Sequence, residues 1–297
     1  MTVTNETIEL DDGRVLDIFV GGAADGLPLV LHHGTPSDGS LYRDWDDDCG
    51  QRGLRLVAVS RPGYVTSTRL PGRDVAHAAA DTAAVLDRLG LGEFATAGMS
   101  GGGPHALSCA ALLPGRCRAA ATMAGAGPSE APGLDFTAGM GPENLEEFAA
   151  AAAGEEALRS WLADNAEPMR HVTGEQIIEA MGGLLPQVDK DALAAGYADS
   201  LAAVMRRALE PGFDGWVDDD LAFVRAWGFD LSTITVPVAV WQGELDLMVP
   251  VAHAPWLAAA IPGARLQVVP GHGHISLFTT YRGAVLDELL ELAGSNR

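Results

Sequence analysis

The feature that most constrains this chain is a regular alternation of short apolar runs with amphipathic stretches, interrupted once. Thr7–Leu10 and Val15–Val20 flank Asp11-Asp12-Gly13 and read as an opening hairpin. Strand candidates follow at Leu29–Leu31, Leu54–Val59, Phe94–Met99 and Arg118–Ala124. Between them, helical spacing covers Val75–Leu89, behind a capping Asp74, and Pro104–Leu113. Strand–helix order of this kind predicts a mostly parallel sheet covered by helices on both faces.

The rhythm breaks after Gly125-Ala-Gly-Pro128, and no strand pattern returns before Thr233. Helical patterns fill the gap: Glu143–Ala153, Glu155–Asn165, Glu175–Met181, Asp191–Leu209 and Trp216–Trp227. Thr173 and Gln176 have the spacing of a capping box. The alternation then resumes with strand Pro237–Gln242, helix Ala252–Ala260, strand Arg265–Val269 and helix Ile275–Leu292. The predicted organisation is one α/β core domain, residues 1–127 and 233–297, carrying an all-helical cap, or lid, over 128–232.

Charge supports that division. The chain of 297 residues carries a net charge of −21, and residues 128–232 hold 20 of its 40 acids but 6 of its 19 bases. Such a chain repels nucleic acid and anionic membranes. The acidic runs Glu146-Glu147, Glu155-Glu156 and Asp218-Asp219-Asp220 read as a solvated face. The three cysteines give neither a disulfide framework nor a zinc spacing, so buried free thiols are expected. The N-terminus lacks the basic and apolar regions of a signal peptide, and no apolar run approaches the ~18–20 residues of a membrane span. A soluble, cytoplasmic protein is expected, with a small-molecule substrate as its partner and with no nucleic acid and no membrane. Its oligomeric state is open, and a homodimer is compatible with the sequence.

The chemistry-bearing residues sit at strand ends. Gly98-Met-Ser-Gly-Gly102 fits G-x-S-x-G where strand Phe94–Met99 meets a helix. A serine on such a sharp turn projects its hydroxyl into a pocket, and the glycines at Gly98, Gly101 and Gly102 permit the turn. In a glycine-rich chain the pattern by itself is also compatible with an ordinary tight turn. A serine hydroxyl needs a base, and Pro270-Gly-His-Gly-His274 follows the last strand, leaving His272 and His274 as candidates. The base needs an acidic orienter, and Asp246 follows strand Pro237–Gln242, with Glu244 nearer the strand end and read as structural. The turn after the preceding strand, Ala124–Pro128, contains no carboxylate that could take this place. An oxyanion would find backbone N–H donors at Thr35, in the His33-Gly34-Thr35-Pro36 loop, and at Gly101. His33 reads as a brace for this loop, His32 as a strand-end residue and His105 as helix packing.

Five motifs in order, His33-Gly-x-Pro36, Ser60-Arg-Pro-Gly-Tyr64, Gly98-x-Ser-x-Gly102, Gly243-x-x-Asp246 and Gly-His-Gly-His274, resemble the α/β-hydrolase fold superfamily over essentially the whole chain. The resemblance implies an eight-stranded, mostly parallel sheet, antiparallel in its first strands, with a helical cap inserted after the sixth. It favours His274 over His272 and implies a triad of Ser100, Asp246 and His274, supported by His33, Gly34, Gly98 and Gly102, with no cofactor and no metal. The implied activity is hydrolysis of an ester-type bond in a small neutral molecule through an acyl-enzyme. Lactone, carbon–carbon or amide cleavage, cofactor-free perhydrolase or haloperoxidase chemistry, and a non-catalytic ligand receptor are the alternatives. Ser100 argues against haloalkane dehalogenases and epoxide hydrolases, which carry aspartate at this turn. Thr35 and Gly101 depart from the usual proline iminopeptidase pattern, and Met99 precedes the serine where perhydrolases and carbon–carbon hydrolases often read S-M-G-G. The helical segment holds three of the six Trp, five of the eight Phe, and Met140, Met169, Met181 and Met205, so it could shape the pocket or simply fill its own core.

Overall fold

A computed structural model describes residues 3–294. Met1, Thr2 and residues 295–297, the outermost ends of the expected core, lie outside the described residues.

The opening hairpin pairs β1 (Thr4–Glu9) with β2 (Val15–Gly22), turning at Gly13 with φ 82°. Then come β3 (Leu27–His32), α1 (Asp46–Gln51), β4 (Leu54–Val59), α2 (His77–Arg88), β5 (Phe94–Met99), α3 (Gly102–Leu112) and β6 (Cys117–Met123). The described strands form one eight-stranded sheet in the order β1-β2-β4-β3-β5-β6-β7-β8, closed by β7 (Val238–Gly243) and β8 (Arg265–Val269). β2 runs antiparallel to both β1 and β4, and the remaining pairings are parallel.

Alternation along the central strands makes two apolar faces. Val30 and Val57 join one core with Leu86 of α2, Leu107 of α3 and Leu257 of α10 (His253–Ala260). Leu29, Leu31, Leu54 and Leu56 join the other with Cys49 of α1 and Leu277, Val285 and Leu289 of α11 (His274–Gly294). Each such side chain contributes about 1.5–3 kcal/mol on burial.

Six α-helices lie among the described residues between β6 and β7: α4 (Pro142–Ala153), α5 (Glu155–Met169), α6 (Gly174–Ala180), α7 (Gln187–Ala192), α8 (Ala198–Ala208) and α9 (Asp214–Phe223). The Thr173–Gln176 capping box is formed at the start of α6. The single helix expected over Asp191–Leu209 is instead two, because Gly196 takes φ 122° in the turn between α7 and α8. The helix expected over Trp216–Trp227 stops at Phe223, and Trp227 packs into the sheet core.

The acidic run of α9 is not a solvated face. Asp218, Asp219 and Asp220 are 3%, 0% and 1% exposed, and Glu147 is also buried. Asp218 and Asp219 are partnered by arginines of the connection between β4 and α2. Arg69 donates to Asp218 at 2.8 Å, and Arg61 and Arg73 each reach Asp219 at 2.6 Å. A further clamp is Arg207 of α8, which reaches Asp38 at 2.7 Å and Asp17 at 3.0 Å.

Candidate active site

Ser100 occupies the turn between β5 and α3 with φ 54°, a left-handed conformation uncommon for a residue with a side chain. The turn is pinned by Ser100 N–H donating to Met123 C=O at 2.8 Å and by Gly103 N–H donating to Ser100 C=O at 2.9 Å. Glycine is required at two flanking positions. A Cβ on Gly98 would run into the carbonyl of Gly102, and one on Gly102 into the carbonyl of His32.

His274 opens α11 and is 3% exposed. Its Nδ1 lies 2.7 Å from Asp246 Oδ2. A carboxylate only accepts, so Nδ1–H donates and Nε2 of the neutral ring is left as the base. Asp246 is fixed in turn by the backbone N–H groups of Met248 (2.8 Å) and Val249 (2.9 Å) and by Gln242 Nε2 (2.9 Å). Burial disfavours the His274 imidazolium, but the carboxylates of Asp246 and Asp189 outweigh it, and the pKa is raised above 6.5. His272 is engaged elsewhere, with Nδ1 3.0 Å from the Pro270 carbonyl oxygen and its ring edge-on to Tyr281. Glu244 accepts from Gly271 N–H at 3.1 Å and so holds the same loop.

The loop after β3 is braced by buried charge. His33 Nε2 accepts Arg61 N–H at 3.0 Å, and Nδ1 donates to Gly34 C=O at 2.7 Å. The Arg61 guanidinium also donates to the His33 and Gly34 carbonyls and to Thr35 Oγ1. Burial, then the nearby Arg61 charge, holds His33 well below its ordinary pKa, so it stays neutral. Burial alone would raise the pKa of Asp219, but Arg61 and Arg73 hold it well below the carboxylate range. His32 is driven down to about 3 by burial and by Arg61. His105 Nδ1 donates to the Gly101 carbonyl at 2.7 Å, steadying the first turn of α3.

Gly34, Thr35, Ser100, Gly101 and His274 line one cavity of about 340 Å³, with Asp246 behind His274. The segment between β6 and β7 supplies much of the wall, including Phe136, Phe148, Trp161 and Trp216. Met140, Met169, Met181 and Met205 all line it. Glu143, Glu147, Asp164 and Asp220 are the carboxyl side chains contributed by that segment, and no Lys or Arg is among the lining residues. Glu147 and Asp220 form a buried carboxyl pair, and Glu147 accepts from Trp216 Nε1 at 2.6 Å. Burial, reinforced by Glu147, pushes Asp220 well above the ordinary carboxylate range, and burial pushes Glu147 up as well.

Sequence reasoning missed Arg61, Arg73 and Asp219 as the brace of the Thr35 loop, missed the Glu147–Asp220 pair, and missed Asp189 beside His274. The available signal was the concentration of Arg61, Arg69 and Arg73 in one loop against three consecutive aspartates elsewhere. Among the described residues, no group of three or more His, Cys, Asp or Glu is placed to hold a metal ion, and no helix is long and apolar enough to cross a membrane.

Comparison with known proteins agrees with this architecture. The family model for the α/β hydrolase fold matches residues 28–281, and the chain belongs to that family. It is 29% identical over 271 residues to a non-heme haloperoxidase of Rhodococcus erythropolis, covering 87% of this chain and 89% of that protein. An esterase from Exiguobacterium antarcticum superposes with a TM-score of 0.69 at 21% identity, covering 98% of this chain and 100% of that one. An enol-lactonase from Burkholderia xenovorans gives 0.69 at 18% identity, covering 96% and 100%.

Proposed function

We propose that this protein is a serine hydrolase cleaving a carboxylic ester-type bond of a small uncharged molecule through an acyl-enzyme. One observation carries the reading: Ser100, held at φ 54°, lines the same cavity as His274, whose Nδ1 bonds Asp246 at 2.7 Å. In this mechanism His274 Nε2 takes the Ser100 proton and Ser100 Oγ attacks the carbonyl carbon. The backbone N–H groups of Thr35 and Gly101 hold the oxyanion, each such donor being worth about 10²–10³ in rate. His274 then protonates the leaving alkoxide and later activates the water that releases the acid. Asp246 keeps the ring in the required tautomer and stabilises its cation.

Residues 128–232 act in this reading as a lid, excluding water and shaping the pocket. The carboxyls of Glu143 and Asp164, unopposed by any lining Lys or Arg, disfavour anionic substrates. A fluorophosphonate probe should label the wild type and leave Ser100→Ala unlabelled. Failure of folded wild type to react would favour a non-catalytic ligand receptor. Equal kcat/KM for matched neutral and carboxylated esters would overturn the substrate preference.

A second reading is favoured by the likeness to the non-heme haloperoxidase. Here hydrogen peroxide replaces water in the second step. Its oxygen attacks the acyl carbonyl, the bond to Ser100 Oγ breaks, the proton returns to Ser100, and a peroxycarboxylic acid leaves to oxidise halide in solution. Bromination dependent on acetate, peroxide and Ser100 would support it.

A further inference from the structure

We propose that Asp189, carried by α7, is a positioning residue for His274, tying the histidine's orientation and proton affinity to the seating of the helical segment. The proposal rests on the reading of His274 as the general base.

Asp189 is fully buried, yet both of its oxygens are used on one target. Oδ2 accepts the backbone N–H of His274 at 2.8 Å, and Oδ1 accepts that of Ser276 at 2.8 Å. These are first-turn donors of α11, which no partner within the helix can satisfy. Ser276 Oγ in turn accepts Gly273 N–H at 2.8 Å, so the whole approach to His274 is locked. Gly273 is shaped to this carboxylate, because a Cβ there would overlap Asp189 Oδ2. The capping group is thus borrowed from a residue 85 positions earlier, on a different layer of the molecule.

Two consequences separate this from an ordinary helix cap. First, the capped residue is the histidine itself, so a shift of α7 moves the imidazole relative to Ser100. Second, a buried carboxylate adds its field to that of Asp246. Asp246, from the loop after β7, and Asp189, from α7, are the charged groups acting on the ring, and the neighbours Met248, Ile275 and Phe278 are apolar. Both carboxylates favour the imidazolium, while burial opposes it.

The test is the pH dependence of Ser100 phosphonylation by a fluorophosphonate, with loss of fluoride, in wild type and Asp189→Asn, which keeps shape and one acceptor but loses the charge. The acid limb should move down by about 0.5–1 pH unit, with phosphonylation in the plateau slowed several-fold. Far-ultraviolet circular dichroism and thermal melting establish that the variant is folded. Where the amide variant is poorly folded, Asp189→Ser, with a smaller neutral acceptor, is measured in the same way. An unmoved limb in a folded variant overturns the proposal, even if its melting temperature falls. Absence of any labelling in the wild type would instead sink the underlying assignment of Ser100 and His274.

Discussion

Thr35 Oγ1 donates a 2.7 Å hydrogen bond to Asp219 Oδ2, joining the loop after β3 to α9. Asp219 also takes Arg61, Arg73 and, at 2.8 Å, the Tyr64 hydroxyl. The loop proposed to offer a backbone N–H to the reacting carbonyl is thereby held by a buried ionic knot. Asp219→Asn leaves two buried guanidiniums short of a counter-charge. A loss of about 3–5 kcal/mol in chemical denaturation is expected. A loss below about 1 kcal/mol would mean that the knot is replaceable by neutral hydrogen bonds.

Gly101→Ala is expected to damage catalysis more than folding. A Cβ there would lie 2.6 Å from Thr35 Oγ1 and 2.9 Å from Phe223 Cζ. Making room means pushing the Thr35 loop away from Ser100. A fall of about 10²-fold in kcat/KM follows if an oxyanion donor is displaced. Steady-state kinetics beside a melting curve checks this, and wild-type kcat/KM would remove Gly101 from the oxyanion contact.

The acid limb of kcat/KM should lie above pH 6.5. His274 has its pKa raised, and it acts as a base only when neutral. The sign for stability runs the other way. A raised pKa means that the folded state binds the proton more tightly, so this contribution is present below about pH 6.5 and is lost as pH rises through the folded value. Asp246→Asn removes the carboxylate that acts more strongly on the ring and should bring the limb down. A pH–rate profile with an unchanged limb would contradict the assignment of His274.

Asp220→Asn should stabilise the protein in alkaline solution. In the fold Asp220 binds its proton more tightly than an unfolded aspartic acid, which releases it near pH ~3.9. Stability is therefore lost as pH rises from about 4 toward the raised native value, and an amide, already neutral, escapes that loss. Melting temperatures from pH 4.5 to 8.5 should diverge upward in favour of the variant. Parallel curves would show that the pair is ionised in the fold.

The parts of the fold that were legible are those fixed by local pattern. Leu54–Val59 and Phe94–Met99 are strands at the expected residues, because a buried parallel strand is a largely apolar run bounded by turn residues, and Arg265–Val269 is a strand where expected although it is a mostly exposed edge. The pattern around Ser100 was legible because its glycines have no other way to satisfy the turn. What stayed hidden depends on long-range pairing. Asp218 and Asp219 look solvent-facing in any local window, and their burial becomes intelligible only with Arg61, Arg69 and Arg73, some 150 positions away, in view. Asp189 carries no local mark at all, since its partner is the unsatisfied backbone of α11.

The Arg61–Asp219–Arg73 knot also limits how this enzyme scaffold can be recombined. Its cationic half is encoded between β4 and α2, and its anionic half in α9. A chimera that exchanges the helical segment for another's inherits two entombed guanidiniums unless the graft brings an acid to the same place. Transplanting new substrate preferences therefore requires moving both sequence blocks together.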